Sequence, residues 1–357
     1  MHIAILTGGG DCPGLNAVIR AVCLALIQQC GARVSGVERG FLGLIEQRMR
    51  PLDRFDVQDI LAQGGTILGT HNRCDPFHYF AEGGADVSAR VLEYVKAQGI
   101  DALVAIGGDG TMAIAEQFSR LGLAVVGVPK TIDNDLYLTE RSFGFDSAVA
   151  VVSEALDRLE TTARSHGRVM IAETMGRHAG WIALEGGLAG GADAILLPEM
   201  PYRLDAVIEH CRRRTAGGGH ALICVAEGAH AQAQSQVVRA MLADSPDPVR
   251  LGGIAAVLAQ QLQLALAEQG DVEVRSTLLG HVQRGGTPTA FDRVLATQFG
   301  WAAAQLVREQ RFGRMVALQG AEFTSVPLAD VAGRNRLVPL DHPLLQAAQG
   351  LGVCFGQ

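Results

Sequence analysis

The chain has 357 residues, 48% hydrophobic and 19% charged, a composition that argues against a disordered or fibrous protein and suits two folded domains. A formal net charge of −7 gives no nucleic-acid footprint, and the one basic cluster, Arg212, Arg213 and Arg214, reads as a solvated helix end. The seven cysteines are odd in number and form no CxxC pair, so they indicate neither a disulfide framework nor a zinc site.

In chain order, the apolar run 3–6 reads as a strand that enters a glycine loop, and 15–29 reads as a helix. A strand is expected at 33–37 and another at 102–106, followed by a second glycine loop, a helix from about Met112 and a strand at 123–128. Further buried strands are expected at 168–173, 193–197, 220–226 and 272–279. Strands that alternate with helices predict an α/β fold with largely parallel sheets, whose ligands bind at the carboxyl ends of strands. The polar segment 230–250 reads as a surface helix and loop or a crossing between units, and residues 306–357 carry few assignable features. No apolar run reaches about 18 residues, so no membrane span is expected. No signal peptide is expected, because the N-terminus turns straight into a glycine loop, and the compartment expected is the cytoplasm.

The 44 glycines fall at the ends of apolar runs, where chains turn tightly or approach ligands. The stretch 7–16, TGGGDCPGLN, lies between a strand and a helix and offers backbone N–H groups to a phosphate, although it is neither a Walker A loop nor GxGxxG. Its plainer reading is a tight turn capped by Asp11. The stretch 107–111, GGDGT, repeats the geometry with a carboxylate inside it. Asp109 beside a phosphate would meet a repulsion of roughly 4 kcal/mol at 4 Å and an effective dielectric near 20. A magnesium ion between them reverses the sign, so Asp109 reads as a magnesium-site residue acting through water.

The stretch 129–135, PKTIDND, sets Asp133 and Asp135 two apart, facing one way if the segment is extended. One acid can take a hydroxyl proton while the other orients, Thr131 can bond a transferring phosphoryl, and Lys130 can offset its charge. An Asx-rich turn is the alternative. Arg177, in 173–181 ETMGRHAGW, sits at an expected helix start, a poor place for a cation unless it meets an anion. His281 and Arg284, in 280–286 GHVQRGG, are two donors spaced to converge on a phosphate monoester. Arg168 and Arg275 lie in or beside strands and Glu227 ends one; surface ion pairs are the alternative for these three.

This motif set resembles the 6-phosphofructokinase family, collinear from residue 6 through FLGL, GGTILGT, GGDGT, PKTIDND, MGRHAGW and GHVQRGG to about residue 305. The resemblance implies two three-layer α/β domains with the active site in the cleft between them. The expected donor domain is 1–140 with about 256–305 returning, and the sugar-phosphate domain 141–255 with about 306–345. It implies that Gly10, Arg73, Cys74, Gly108, Asp109, Gly110 and Thr111 bind the phosphoryl donor, with Mg2+ at Asp109. Asp133 would be the base for the 1-hydroxyl of fructose 6-phosphate, with Asp135, Thr131, Arg177 and Lys130 completing the catalytic group. Met175, Gly176 and Glu227 would hold the sugar with them. Arg168, Arg275, His281 and Arg284 would grip the 6-phosphate, Arg168 and Arg275 reaching across from a neighbouring copy in a homodimer or homotetramer.

Family members divide between ATP and pyrophosphate as donor. Gly110 leaves room for a nucleotide and points to ATP, while Lys130 keeps pyrophosphate as the alternative. At the effector site implied by the bacterial relatives, Arg20 and Arg54 remain, but two expected arginines fall on Leu24 and Glu160, and 216–219 read AGGG. No binding of ADP or phosphoenolpyruvate is expected there. NAD and diacylglycerol kinases share GGDGT but leave PKTIDND and GHVQRGG unexplained. A non-catalytic regulatory subunit would have lost an acid, whereas Asp109, Asp133 and Asp135 are all present.

Overall fold

Every residue of strand β1 (His2–Thr7) is buried, the pattern of a strand covered on both faces. The computed structural model describes residues 1–241, 249–267 and 272–357. These divide into two units, 1–147 with 284–336, and 148–241, 249–267 and 272–283 with 337–357.

The first unit begins with β1 and continues through α1 (Leu15–Cys30), β2 (Arg33–Val37), α2 (Phe41–Ile45), β3 (Met49–Leu52) and α3 (Arg54–Val57). Then come α4 (Ser88–Ala97), β4 (Ala102–Gly107), α5 (Asp109–Arg120) and β5 (Val125–Pro129), before α6 (Phe145–His166) carries the chain out. The central strands β5, β4, β1 and β2 pair in parallel, in that spatial order. Because the chain runs from β1 outward to β2 but places β4 on the other side, the order reverses between β1 and β4. That reversal opens a crevice at the carboxyl ends, where the two glycine loops emerge. Helix α5 starts three residues before the expected Met112. Gly108 caps it and Asp109 falls in its first turn, where the helix dipole favours a carboxylate.

The second unit holds β6 (Val169–Thr174), α7 (Trp181–Ala189), β7 (Ala194–Leu196), α8 (Leu204–Thr215) and β8 (Ala221–Ala226). These are followed by β9 (Val238–Met241), β10 (Val249–Leu251), α9 (Ile254–Leu266) and β11 (Val274–Leu278). Its main sheet is parallel throughout in the order β11-β6-β8-β7, over a core that includes Ile171, Ile223, Val225, Leu258 and Leu262. The chain returns to the first unit through α10 (Ala290–Arg308), β12 (Arg314–Gln319), β13 (Glu322–Pro327) and α11 (Leu328–Val331). It ends in the second with α12 (Pro343–Gly350).

Three expectations change. The return to the first unit begins at Arg284 rather than about 256, because β11 pairs with β6 and α9 packs on both. Residues 306–336 stay with the first unit rather than joining the second, because β12 pairs with β5 and β13 with β12, extending the first sheet. The polar stretch 230–250 contains an antiparallel pair, β9 with β10, instead of a helix, and residues 242–248 lie outside the described ones. Among the described residues no helix is long and apolar enough to cross a membrane.

Candidate active site

In the first unit, adjacent strands β1, β4 and β5 each release one loop at their carboxyl ends. The loops after β1 and β4 meet over Thr111. A Cβ at Gly107 would lie 2.2 Å from Thr111 Oγ1 and one at Gly8 2.5 Å from it, so both positions require glycine for the loops to close on this side chain. Backbone bonds from Gly8 N–H to Ile106 O (2.9 Å) and from Lys130 N–H to Gly107 O (2.9 Å) tie the three loops together. Gly10 faces Arg284, whose Nη1 would sit 3.0 Å from a Cβ there and donates to Asp11 O at 3.3 Å. At Gly110 an added Cβ meets nothing within 4 Å.

Two of the residues expected at the donor sit in the loop after residue 70. Arg73 stacks its guanidinium 5.4 Å from the Phe80 ring centroid, beside the parallel His71–Phe80 ring pair. Cys74 is buried in the core, and burial pushes its thiol up to about 12. Its side chain is therefore packing, and any contact to a donor falls to its backbone.

Lys130 directly follows β5 and is buried, with its Nζ donating to Gly10 O. Burial lowers its pKa, and the neighbouring Arg284 adds to that. The acidic loop that follows is not extended. Asn134 adopts φ 52, a left-handed turn held by Ser142 N–H donating to its Oδ1 (3.0 Å) and by its own Nδ2 donating to Glu140 O (3.3 Å). The two acids are thus set by a kinked turn rather than by strand alternation, which corrects the sequence argument. Thr131 Oγ1 accepts from Asp133 N–H at 3.0 Å. Asp133 Oδ2 lies 4.0 Å from Arg284 Nη2. Burial first, then the charges of Asp133 and Asp109, push the Asp135 carboxyl well above the usual carboxylate range.

That mutual repulsion is the local test of a magnesium site. Among the described residues no three His, Cys, Asp or Glu side chains converge to hold a metal by themselves. Asp109 is exposed at the start of α5, within electrostatic reach of Asp135. Such a donor set fits an ion delivered with the donor's phosphates, since magnesium is usually held by one or two carboxylates plus phosphate oxygens.

In the second unit the carboxyl ends of adjacent strands β11, β6 and β8 gather a second set. The loop after β6 carries Met175, Gly176 and Arg177. Arg177 lies in this loop, four residues before α7 begins at Trp181, so the helix-dipole argument for it does not apply. Gly176 has φ 130, and its carbonyl accepts from Gly228 N–H at 3.1 Å. A Cβ at Gly228 would lie 2.0 Å from Arg177 O, which makes that crossing possible only for glycine. Glu227 follows β8, its N–H bonded to Thr174 O at 2.9 Å. His281 stands on the single 3-10 turn Gly280–Arg284 after β11.

Gln283, unassigned from the sequence, is fully buried between these loops. Its Oε1 accepts from Met175 N–H (3.2 Å) and its Nε2 donates to Gly280 O (3.0 Å). The only sequence signal was its place between His281 and Arg284. Arg168 and Arg275 flank one acid: Glu273 Oε2 is 2.6 Å from Arg168 Nε and Oε1 is 3.2 Å from Arg275 Nη2. Arg275 lies on the edge strand β11, and Arg168 immediately precedes the neighbouring strand β6.

The Phosphofructokinase family description fits residues 2–307. The chain is 48% identical over 360 residues to the Clostridium perfringens protein named ATP-dependent 6-phosphofructokinase 2, covering 99% of this chain and 98% of that one. It is 49% identical over 339 residues to the Amycolatopsis methanolica pyrophosphate–fructose 6-phosphate 1-phosphotransferase, covering 95% and 96%. A solved Pichia pastoris phosphofructokinase in the T-state matches 92% of this chain at 33% identity and TM-score 0.78, and this chain spans 35% of that chain's length. By family match, sequence identity and fold, the chain belongs to the phosphofructokinase family.

Proposed function

We propose that the protein transfers the γ-phosphoryl group of ATP to the 1-hydroxyl of fructose 6-phosphate, giving fructose 1,6-bisphosphate and ADP, a reaction of glycolysis. One observation carries this reading: the Asp109, Asp133 and Asp135 carboxylates share one local field beside an open backbone at Gly110. The glycine loops 8–10 and 108–111 cradle the donor's phosphates through backbone N–H groups, with Arg73 and the backbone of Cys74 at their flank. Magnesium bound with those phosphates beside Asp109 supplies charge neutralisation on the transferring group.

Asp133 accepts the proton of the sugar 1-hydroxyl, with the Arg284 guanidinium 4.0 Å from its carboxylate. Thr131 accepts from Asp133 N–H through its oxygen and bonds the Asp135 carboxyl, so its hydroxyl joins the two acids and meets a phosphoryl oxygen by turning from Asp135. Lys130 fixes the Gly10 carbonyl and adds positive charge beside the transfer path. Asp135 and Arg177 complete the group, one orienting the acid loop and the other meeting the phosphoryl. Met175, Gly176 and Glu227 hold the sugar, and Arg168, Arg275, His281 and Arg284 hold its 6-phosphate. Arg275, on the edge strand β11, and Arg168, which shares Glu273 with it, act across the interface of a homodimer or homotetramer. The setting is the cytoplasm.

Pyrophosphate is the second reading of the donor. It is favoured by the buried cation Lys130 against the donor loop, and the Amycolatopsis methanolica relative carries that name. Initial rates on fructose 6-phosphate with Mg2+ and either ATP or pyrophosphate test both. Turnover with ATP is expected. Turnover with pyrophosphate alone overturns the donor, and none with either overturns the reaction.

A further inference from the structure

We propose that Arg336 is a positioning residue for the acid loop 131–135, acting from a stretch beyond the family match, which ends at residue 307. The inference rests on the function proposed above. Arg336 is half-buried and reaches the loop twice. Its backbone N–H donates to Asp135 O at 2.7 Å, and its Nη1 donates to Asn134 O at 3.2 Å. One residue earlier, Asn335 forms an antiparallel bridge with Leu136. Two consecutive carbonyls of the loop, both between or within the acids at 133 and 135, are therefore held by one residue.

Those carbonyls need holding because of the turn. Asn134 is one of six non-glycine residues with positive φ among the described ones, and an L side chain enters that region at a cost. A loop kinked there orients Asp133 and Asp135 through the planes of peptides 134 and 135. The guanidinium supplies a charge-assisted bond to the first of these planes, stronger than a neutral donor would give. Other bonds from the same returning segment hold the loop's far side. Thr139 Oγ1 accepts from Leu318 N–H at 3.0 Å, and Glu140 Oε1 accepts from Gly320 N–H at 3.0 Å. These anchor residues 139 and 140, leaving Arg336 as the described side chain of that segment which bonds between the two acids.

The test compares Arg336→Ala with Arg336→Lys. The alanine variant keeps the backbone bond to Asp135 and removes the guanidinium alone, so global stability is expected to hold. Turnover should fall about 10- to 100-fold, as for a catalytic group displaced by a fraction of an ångström to about one ångström. KM for each substrate should stay within about threefold. The lysine variant, which restores a donor, should recover most of kcat. Hydrogen–deuterium exchange of the peptides covering 131–136 should rise in the alanine variant and return toward wild type in the lysine variant. That readout does not depend on the reaction, so it tests the positioning even if the substrate assignment fails. Unchanged exchange and unchanged turnover in Arg336→Ala overturn the proposal, as does a loss of turnover that follows a lowered Tm and is equal in both variants.

Discussion

Replacing Gly110 by Asp should turn the donor preference away from ATP. The position is open, with nothing within 4 Å of an added Cβ, and its φ lies outside the left-handed region, so the substitution folds without strain. Asp in the first turn of α5 also suits the helix dipole, which leaves stability unchanged or slightly raised. The cost therefore falls on ligand. A carboxylate about 4 Å from a donor phosphate repels it by roughly 4 kcal/mol at an effective dielectric of 20, and exposure and salt reduce that by about half. The kcat/KM for ATP should fall between about 30- and 1000-fold. Pyrophosphate has neither an α-phosphate nor a nucleoside beside this position and should lose much less. Initial-rate kinetics with each donor at fixed Mg2+ measure the ratio. An equal fall for both donors, or none for ATP, would refute the placement of the nucleotide over residue 110.

Asp133→Asn should lower kcat by about 100- to 10,000-fold with modest change in either KM, measured by steady-state rates, because it removes the proposed general base rather than a binding group. Fructose 6-phosphate saturation curves with and without millimolar phosphoenolpyruvate should superimpose. Arg20 donates its Nε to Gln58 O, and Glu160, paired with Arg164, puts a carboxylate where the resemblance implies an arginine. Asp292 is fully buried and accepts from Ser147 N–H (2.8 Å) and Ser147 Oγ–H (2.6 Å), yet burial raises its pKa from 3.8 to about 6. Because the folded value is the higher, its stabilising contribution is complete below the unfolded pKa. It is lost as pH rises through about 6, on the order of 3 kcal/mol. Asp292→Asn keeps an acceptor for Ser147 and should flatten that dependence in denaturant titrations between about pH 4 and 7. A parallel slope in both proteins would assign the dependence elsewhere.

The strands and glycine loops were legible because both-face burial writes continuous apolar runs into the sequence, and because glycine marks where such runs stop. The carboxylates were legible as a set for the same reason: they follow directly on those runs. What hid was whatever depends on a partner distant in sequence. Arg177 looked helical because MGRHAG runs into α7 without a proline, whereas the crossing of Gly176 by Gly228 holds it in a loop. Asn134's handedness is set by Ser142 and Glu140, and Arg336 has no local pattern at all. The pairing of β12 with β5 likewise decides where 306–336 belong, and no periodicity encodes it.

Register explains why so much of the second set depends on a single strand. β11 pairs with β6 so that Val274 faces Val169 and Arg275 faces Met170. Val274 is buried while Arg275 is exposed, so a slip of one residue would drive an arginine into the core and expose a valine. The same register carries the residues just before each strand into contact. Val169 N–H donates to Glu273 O at 3.0 Å, and the Glu273 carboxylate meets Arg168 at 2.6 Å. Downstream it fixes where β11 ends, and Leu279 N–H bonds Glu173 O at 3.0 Å. His281 and Gln283 follow in a turn with no freedom to drift, because Gln283 is bonded at both ends of its amide. The burial of one valine thus fixes Arg168 and Arg275 at the amino ends of β6 and β11 and His281 beyond the carboxyl end of β11. A polar substitution at Val274 should therefore impair all three, although of their side chains it is Arg275 that is bonded to this residue, through Nη1 donating to Val274 O at 3.2 Å.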